Sequence, residues 1–556
     1  MRVSAQQDGT SVKAYAGTTG VLLAFDIAPS RRDGLLGFAI EREGGNRPHR
    51  WLAGMLPFPG QEHRAGELIP SNVAPIQRFR WSDYSVFADT SYTYTVHPVY
   101  GDPRSLRLDD GPTVIARTAS ARTGEHKVLF NRAAAASQAF SRDFPHAAEE
   151  IAAARRERRP VRLPADALAW LTRGVLEQIT GFCARALDPT WALDVAIYEY
   201  ELPEIRAALD AARARGADVR IVYHAEPGDE QTTINEANLA HWPAEHKRAR
   251  ITHAICHDKF IVCSRLDGHG RRSPHAVLCG STNFTENGVY RQANVVHVAE
   301  TAHLAERYLA IFEVLFRGDN PAATKDWIDT NNPLSTSEPV FAGFSPRSDE
   351  KDIDLFVSEI QAARRDVLFC TAFALKQRVL DALLGTPHDD ILRFGLQNTR
   401  SEITGTHRDR TADFIAPDMI DTGLEGFLKE STAGQRGNIL IHTKLVVIDF
   451  TSDTPTVISG SHNLSHNASA SNDENYLILR GNHDVADCYG VELMRLYEHY
   501  RSRFHHGHPD PTGDGRVPKP ASSLRPLATD DSWTDPYFKA DSLEGSDRRR
   551  FANSAN

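Results

Sequence analysis

The chain has 556 residues, of which 41% are hydrophobic, and it carries a formal net charge of −10 at pH 7. This length exceeds what one hydrophobic core supports, so we predict two or three domains. The negative charge argues against a broad electropositive surface for duplex nucleic acid, although a local cationic cleft is compatible with it.

Cysteine usage and the start of the chain bear on its location. The six cysteines are scattered without CxxC spacing, so we expect neither a disulfide framework nor a zinc site. Residues 1–17 lack the apolar stretch of a secretory signal, and the apolar run at 20–25 stops at Asp26. The sequence predicts a cytoplasmic protein without a transmembrane segment, and export without a leader would leave no mark in it.

Residues 1–122 have the pattern of an all-β domain. Short apolar or alternating runs between turn residues predict strands at 20–27, 35–41, 76–81, 92–99 and 113–117. Trp81 and the tyrosines of the fourth run are similar to the central tryptophan and the tyrosine-bearing strand of fibronectin type III modules. We therefore predict a fibronectin III/Ig-like sandwich that serves as a structural or targeting appendage.

From residue 147 the pattern becomes α/β, and it occurs twice. A strand, helix and strand at 193–224 are repeated at 366–396 with an offset of 172. This spacing far exceeds that of solenoid repeats and predicts a doubled domain, with halves at 123–335 and 336–508 and an extension at 509–556. The offset is larger downstream, which predicts an insertion at 398–439. Its first-half counterpart is 228–250, and both are expected to border the cleft between the halves.

One short motif occurs in each half. His257-Asp258-Lys259 is followed by Gly280-Ser281-Thr282-Asn283, and His442-Thr443-Lys444 by Gly460-Ser461-His462-Asn463. Apolar β-branched residues around each His-x-Lys predict buried strands that carry the His and Lys on one face. Two imidazoles and two ammonium groups in one cleft suit a phosphodiester, because one His can attack phosphorus while the other protonates the leaving oxygen. The pattern predicts a phosphoryl-transfer enzyme.

These paired motifs resemble the phospholipase D superfamily, whose HxKxxxxD motifs, each followed by GSxN, build one active site at a pseudo-two-fold axis. The resemblance covers residues 147–508 and implies a duplicated phospholipase D-like α/β/α sandwich. In the first copy Ser264 stands where the motif has Asp. The candidate catalytic residues are His257, Lys259, His442, Lys444, Asp449 and Glu474. The candidate phosphate ligands, which have short polar side chains beside the lysines, are Ser281, Asn283, Ser461 and Asn463.

The halves differ in the residue eleven positions after the motif's Asn, which is Glu474 in the second half and Asn294 in the first. In the family this position accepts a hydrogen bond from a catalytic imidazole. We assign Glu474 to His442, and Asn294, with its neighbour Gln292, to His257. A carboxylate raises the pKa of an imidazole, whereas an amide leaves the ring neutral. We therefore hypothesise that His257 is the nucleophile that forms a phosphohistidine and that His442 is the general acid, as chain order in the superfamily also implies.

The sequence gives indirect indications of the cofactor and the substrate. We expect no metal or cofactor, because the lysines and polar donors supply the positive field that Mg²⁺ supplies elsewhere. The superfamily contains phospholipases, phosphatidyltransferases and nucleases. The acidic charge, the missing membrane anchor and the apolar residues at 414–428 favour hydrolysis of phospholipid headgroups, with transfer to an acceptor alcohol as a variant, and peripheral membrane contact. An amphipathic helix that only packs on the domain explains 414–428 equally well.

Two alternatives remain open. A metal-independent nuclease for single strands would need a cationic groove with stacking aromatics, for which Trp242, Lys247 and Arg248 are the candidates. An inactive homologue that serves as a binding scaffold is the other, because Ser264 and Asn294 depart from the motif. Since one chain supplies both motifs, we expect a monomer.

Overall fold

The computed structural model describes residues 2–45, 49–63, 67–132, 138–157, 161–386, 389–397, 412–415, 441–507 and 526–553. The insertion predicted at 398–439 therefore lies outside the described residues, except for one short strand at 412–415. Residues 509–525 of the predicted C-terminal extension also lie outside the described residues.

The described residues before 126 form strands and one 3-10 turn, in agreement with the predicted β pattern. They build a four-stranded sheet in the order β1-β2-β3-β8, a five-stranded sheet that contains β10, β9, β4, β5 and β11, and a small β6–β7 pair. Residues of both larger sheets, such as Phe25 and Phe38, share one hydrophobic cluster. The strands are β1 (Val3–Gln7), β2 (Thr10–Ala16), β3 (Val21–Ile27), β4 (Gly37–Gly44), β5 (Arg50–Trp51), β6 (Ala53–Gly54), β7 (Ile69–Pro70), β8 (Arg80–Asp83), β9 (Ser91–Asp102), β10 (Ser105–Leu108) and β11 (Thr113–Arg117).

A first α/β unit follows, built on a seven-stranded sheet in the order β12-β18-β17-β16-β13-β14-β15. Its strands are β12 (His126–Phe130), β13 (Trp191–Ile197), β14 (Asp218–His224), β15 (Lys247–Arg250), β16 (Lys259–Leu266), β17 (Arg272–Gly280) and β18 (Val295–Ala299). Its helices are α1 (Gln138–Asp143), α2 (Pro145–Glu157), α3 (Ala165–Thr172), α4 (Val175–Cys183), α5 (Pro203–Ala214), α6 (Glu230–Asn238), α7 (Ala302–Arg317) and α8 (Pro321–Asn331).

A second α/β unit has a seven-stranded sheet in the order β19-β25-β24-β23-β20-β21-β22. Its strands are β19 (Val340–Ser345), β20 (Asp366–Thr371), β21 (Leu392–Gln397), β22 (Ala412–Ile415), β23 (Lys444–Ile448), β24 (Thr456–Gly460) and β25 (Glu474–Arg480). Its helices are α9 (Lys351–Gln361), α10 (Gln377–Leu384), α11 (His466–Ala470) and α12 (His483–Gly507). No helix in the described ranges combines the length and apolar character needed to cross a membrane.

The two seven-stranded sheets share one pattern of strand pairing, but with a register that the sequence pattern missed. Lys259 pairs with Ile197 in the first sheet. In the second sheet Leu445 pairs with Cys370, which sets Lys444 opposite Thr371. The offset between corresponding strands is thus 174 (371 minus 197), and the predicted 172 is wrong. Side chains on a strand alternate with a period of two, so a shift by two residues leaves the apolar pattern almost unchanged.

The C-terminal segment packs into the molecule. A 3-10 helix at Asp531–Phe538 precedes the last helix, α13 (Leu543–Ala552). Trp533 contacts Phe79 with ring centroids 5.4 Å apart. The ring of Phe551 is buried and lies 6.0 Å from that of Phe450. This aromatic segment therefore joins the N-terminal sheets to the second α/β unit.

Candidate active site

The two His-x-Lys motifs meet between the α/β units. β16 begins at Lys259 and β23 at Lys444, so each histidine lies just before its strand rather than within it. The two imidazole centroids are 6.2 Å apart. The chain therefore brings both predicted histidines and both lysines into one centre, and all four are buried.

Each histidine is held by the backbone of the other unit. The N–H of His257 donates to the carbonyl of Asp473, and that of His442 donates to the carbonyl of Ala293, both at 2.9 Å. Parallel bridges join Cys256 to Asp473 and Ala293 to Ile441. Because residues that follow a parallel bridge lie side by side, each bridge sets a histidine next to a residue of the opposite unit.

The imidazole partners are consequently exchanged between the units. His257 Nδ1 lies 2.7 Å from Glu474 Oε2. His442 Nδ1 lies 3.0 Å from Asn294 Oδ1 and 3.2 Å from the carbonyl oxygen of Ser281. The predicted pairing within each half is therefore wrong, since Glu474 supports His257 and Asn294 supports His442.

The serine of each GSxN motif orients one of these partners. Ser461 Oγ donates to Glu474 Oε2 at 2.7 Å, and Ser281 Oγ donates to Asn294 Oδ1 at 2.8 Å. A hydroxyl has a single proton to donate, so in this structure both serines hold the imidazole partners rather than face a phosphate.

The asparagines of the motifs keep unused hydrogen-bonding capacity. Neither Asn283 Oδ1 nor Asn463 Oδ1 has a hydrogen-bond partner among the described residues. Buried polar atoms are normally paired, so such atoms mark a place where a further group can bind. These two atoms are acceptors, so a phosphoryl oxygen would have to be bound by the Nδ2 groups, and the role of the two asparagines as phosphate ligands stays a prediction.

The glycine of each motif is required by a close approach of two strand ends. A Cβ at Gly280 would lie 2.2 Å from the carbonyl oxygen of Val295, and one at Gly460 would lie 2.3 Å from that of Asn475. No side chain fits at these distances. Glycine therefore allows the strand that bears the motif to reach the strand that starts beside the imidazole partner.

The lysines are buried close to the histidines. Lys259 Nζ donates to the carbonyl of His257, and Lys444 Nζ to that of His442, both at 2.7 Å. Burial lowers the pKa of Lys259 to about 8, against the opposing effect of Glu474. Burial and the nearby Lys259 lower the pKa of Lys444 well below its usual value. Both ammonium groups thus gain from a negatively charged ligand between them.

Both imidazoles are neutral at rest, because the pKa of each is lowered well below its usual value. Burial raises the pKa of Glu474 to about 7. Burial, then Lys259 and Lys444, lower the pKa of His257 well below 6.5. The pKa of His442 is lowered by burial and by Lys444, whose Nζ lies 2.9 Å from His442 Nε2. Since His442 Nδ1 faces two oxygen acceptors, its resting form is the neutral ring with the proton on Nδ1.

Two aromatic rings that the sequence analysis missed flank the lysines. Lys259 Nζ lies 5.5 Å from the ring centroid of Tyr198, and Lys444 Nζ lies 5.7 Å from that of Phe373. Each ring also contacts the imidazole of its own unit, at 5.5 Å and 6.0 Å between centroids. Tyr198 directly follows β13, and Phe373 comes two residues after the end of β20; these are the strands that pair with the His-x-Lys strands, so the positions are visible only once the register is known.

Three predicted or motif-related residues lie outside this centre. Asp449, at the far end of β23, accepts hydrogen bonds from the backbone N–H groups of Arg364 and Arg365 at 2.8 and 2.7 Å. It organises the chain before β20, so its assignment as a catalytic residue is wrong. Ser264 is buried, and its Oγ has no partner among the described residues. The side chain of Gln292 contacts neither imidazole within the described part of the chain.

The residues suggested for a nucleic-acid groove are engaged elsewhere. Trp242 is buried and its Nε1 donates to Asp210 at 3.0 Å. Lys247 Nζ donates to the carbonyl of Leu239 at 2.7 Å, and Arg248 also donates to a backbone carbonyl. These groups support α6 and its surroundings, so Trp242 offers no face for base stacking.

Part of the first α/β unit is similar to a known protein family. Residues 189–316 match a family model described as cardiolipin synthase, phospholipase D-like domain. The matched range contains the first His-x-Lys and the first GSxN motif. No curated protein matched the chain.

Solved structures similar to the chain include three enzymes or family members from bacteria. Polyphosphate kinase from Porphyromonas gingivalis matches at 12% identity and a TM-score of 0.38 over 60% of this chain, which spans about half (48%) of that protein. Phosphatidylserine synthase from Haemophilus influenzae matches at 12% identity and a TM-score of 0.40, over 61% of this chain and 88% of that one. The phospholipase D family member Nuc from Salmonella typhimurium matches at 26% identity and a TM-score of 0.19, over 24% of this chain and 82% of that one. The paired motifs and the match of residues 189–316 show that this chain resembles the phospholipase D superfamily.

Proposed function

We propose that this chain is a phospholipase D-type phosphodiesterase that removes phospholipid headgroups through a covalent phosphohistidine. One observation carries the proposal: two imidazoles, each with Nδ1 held by an acceptor from the opposite unit, lie 6.2 Å apart beside two buried lysines. Fixing Nδ1 turns each Nε2 into the reactive atom.

In the first step His257 Nε2 attacks phosphorus and the bond to the headgroup oxygen breaks. Glu474 accepts the Nδ1–H of His257 and stabilises the positive charge that the ring gains when Nε2 bonds to phosphorus. A carboxylate in this place thus supports the nucleophile, and His257 keeps the role that the sequence suggested, for a different reason.

His442 serves as the acid of the first step and the base of the second. The bound phosphodiester brings negative charge beside Lys444. This charge offsets the positive field of the lysine, which keeps the His442 ring neutral in the free enzyme. The Nε2 atom of His442 can then carry a proton. That proton passes to the departing headgroup oxygen. In the second step neutral His442 takes a proton from water, the hydroxide attacks phosphorus, and the bond to His257 Nε2 breaks. An alcohol in place of water gives transfer to a new headgroup.

The lysines and asparagines hold the phosphoryl oxygens. Lys259 and Lys444 are buried, and a charge placed near them in this water-poor centre is stabilised more than it would be in solvent. The ring of Tyr198 lies beside Lys259, and that of Phe373 lies beside Lys444. This positive field supports a reaction without a metal ion, which we propose for this enzyme.

The proposal includes the architecture. The shared strand order of the two seven-stranded sheets supports a duplicated α/β/α sandwich with a pseudo-two-fold active site, with halves at 123–335 and 336–508. The two sheets within 1–122 share a core, which supports a sandwich of the fibronectin III/Ig type. Because both halves lie in one chain, a monomer is sufficient for activity.

The choice of a phospholipid as the proposed substrate is based on features outside the two motifs. The net charge of −10 disfavours a polyanionic nucleic acid, and Trp242 is unavailable for stacking. We therefore place a phospholipid ahead of single-stranded nucleic acid, and an inactive scaffold last, because both histidines retain oriented partners.

The test uses the full chain with EDTA present. The protein is incubated with mixed phospholipids and, separately, with single-stranded DNA, and released headgroup and cut strands are measured, with His257→Asn as control. We expect headgroup release that the control lacks. Strand cleavage lost in the control would favour the nuclease. Activity on neither substrate would contradict both assignments.

A further inference from the structure

A second cleft lies between the N-terminal sheets and the first α/β unit. Its volume is about 1240 Å³, and no residue of the catalytic centre lines it. Its aromatic lining includes Trp51, Trp81 and Trp170. Ligand sites in proteins combine such apolar walls with a few polar groups. In this cleft those polar groups are arginines, namely Arg50, Arg122, Arg132, Arg142 and Arg173.

The carboxylates of the cleft already have partners. Each of the three lining aspartates accepts from an arginine, in the pairs Asp83–Arg42, Asp89–Arg117 and Asp143–Arg142. Two of the lining arginines share in these contacts, since Arg142 pairs with Asp143 and Arg50 lies 3.4 Å from Asp83. Among the described residues the lining aspartates form no ion pair with Arg132 or Arg173, so this part of the cleft keeps an excess of positive charge.

Arg132 and Arg173 form the most positive part of the cleft. Arg173 Nη1 donates to Glu492 at 3.0 Å, and the same carboxylate accepts from Arg495 Nε at 2.6 Å. Arg132 lies 4.3 Å from the ring centroid of Trp170, and its Nε has no acceptor among the described residues. Burial, then Arg173 and Arg495, lower the pKa of Arg132 to about 9. Arg173 and Arg495 thus share the carboxylate of Glu492, and Arg132 lies in the positive field of both, an arrangement that costs stability unless an anion joins it.

Apolar side chains continue the cleft outward. Phe87 is 55% exposed and Leu68 is 46% exposed, and both line the same cleft. Large exposed apolar residues beside a charged pocket are typical of a surface that binds an amphipathic ligand.

We propose that this cleft binds a phosphate-bearing ligand, with the phosphate on Arg132 and Arg173 and the apolar part of a lipid, where the phosphate is lipid-borne, on Phe87 and Leu68. The planar guanidinium fork matches phosphate oxygens in pairs, which favours phosphate over a single-point anion. The inference does not depend on the proposed reaction, because the cleft shares no residue with the catalytic centre.

Calorimetric titration of the full chain tests this site with two probes, inorganic phosphate and dihexanoyl phosphatidic acid below its micellar concentration. We expect Arg132→Gln to weaken binding by about tenfold or more, the loss of one charged hydrogen-bonding group. The matched control is Arg271→Gln, an arginine whose side chain is 80% exposed. A further arm, Lys444→Met, removes a cation of the catalytic centre and is expected to leave the Arg132-dependent binding unchanged.

The outcomes separate the sources of the phosphate and the location of the site. Tighter binding of the lipid probe, lost in Phe87→Ser, assigns the lipid source, whereas equal binding of both probes assigns free phosphate. Binding that persists in Arg132→Gln and disappears in Lys444→Met overturns the proposal. We also expect Arg132→Gln to raise the melting temperature of the unliganded protein, because it removes an uncompensated charge. If Arg132→Gln yields no folded protein, Arg132→Lys takes its place. This variant keeps the charge but lacks the planar guanidinium fork, so we expect it to bind phosphate more weakly than the unsubstituted chain, and unchanged binding would overturn the proposal.

Discussion

The two halves of the catalytic centre place their imidazoles in the same way and differ in the group that receives each Nδ1–H. In both, a parallel bridge from the opposite unit sets the partner beside the histidine, and a GSxN serine orients that partner. The partner of His257 is the carboxylate of Glu474, whereas that of His442 is the amide of Asn294. Equivalent geometry with one changed functional group thus gives the two rings acceptors of different charge.

This difference suits the two steps of the proposed reaction. A nucleophilic ring becomes positively charged when it bonds to phosphorus, and a carboxylate stabilises that charge. A ring that alternates between acid and base must give up its proton readily, and the neutral Asn294 does not trap it. The proposed reaction therefore gives different roles to two similar positions.

The largest effects are expected from the histidines themselves. His257→Asn and His442→Asn should each lower kcat by about 10⁴-fold or more. With a p-nitrophenyl phosphodiester, whose leaving group needs no proton, His442→Asn should still form the covalent adduct. The adduct is measured by mass spectrometry after an alkaline quench, since the phosphorus–nitrogen bond breaks in acid. An adduct in His257→Asn but not in His442→Asn would reverse the roles.

The lysines test whether the two halves share the phosphate equally. Lys259→Met and Lys444→Met should each lower kcat/KM by about 10²- to 10³-fold, because each removes one charged contact to the phosphoryl oxygens. Lys376→Met is the control, since Lys376 pairs with Glu350 away from the histidines. A loss confined to one of the two lysines would show that a single half binds the phosphate.

Substitutions that change the charge of Glu474 and Asn294 test most directly whether the two imidazole partners have different roles. Glu474→Gln keeps an acceptor for His257 Nδ1–H and removes the charge, so kcat should fall by about 10- to 100-fold. Asn294→Asp adds a charge beside His442 and should slow proton transfer by about tenfold. Thermal unfolding of both variants checks their folding. A Glu474→Gln enzyme with unchanged kcat would contradict the role of the carboxylate.

The pH dependence of kcat/KM should be bell-shaped. Glu474 must be ionised, and its pKa of about 7 gives activity that rises with pH through that value. Lys259 must be protonated, and its pKa of about 8 gives activity that falls above it. Glu474→Gln should flatten the acid limb, and Lys259→Arg should move the alkaline limb upward. A profile that is flat from pH 6 to pH 9 would contradict both assignments.

The smallest effect on activity is expected at Asp449. Asp449→Ala removes the acceptor of the Arg364 and Arg365 N–H groups, so it should lower the free energy of unfolding by about 1–3 kcal/mol. Activity of the folded variant should stay within about threefold, since Asp449 does not contact the imidazoles. Urea unfolding measures the first effect, and Asp449→Asn, which keeps one acceptor oxygen, is the conservative control. A large loss of kcat at unchanged stability would restore Asp449 to the catalytic set.

The elements of this fold that the sequence predicted well are those with a strong local signal. The strand, helix and strand at Trp191–Ile197, Pro203–Ala214 and Asp218–His224 follow apolar runs that the chain shows on their own. The shift of two residues between the halves went unseen, because an alternating strand has the same pattern after such a shift. The packing of Trp533 and Phe551 could not be predicted, because the rings that they contact, those of Phe38 and Tyr15, lie hundreds of residues away in the chain.

The functional groups of the site can be read from local motifs: two imidazoles, two ammonium groups, one carboxylate and one amide. The imidazole that each partner serves, by contrast, depends on how the two α/β units meet. That choice depends on two short bridges, Cys256 to Asp473 and Ala293 to Ile441, between segments remote in the chain. Proximity along the chain favours the partner in the same half, but a parallel bridge sets the next residues of two distant segments side by side, and this contact orients the ring.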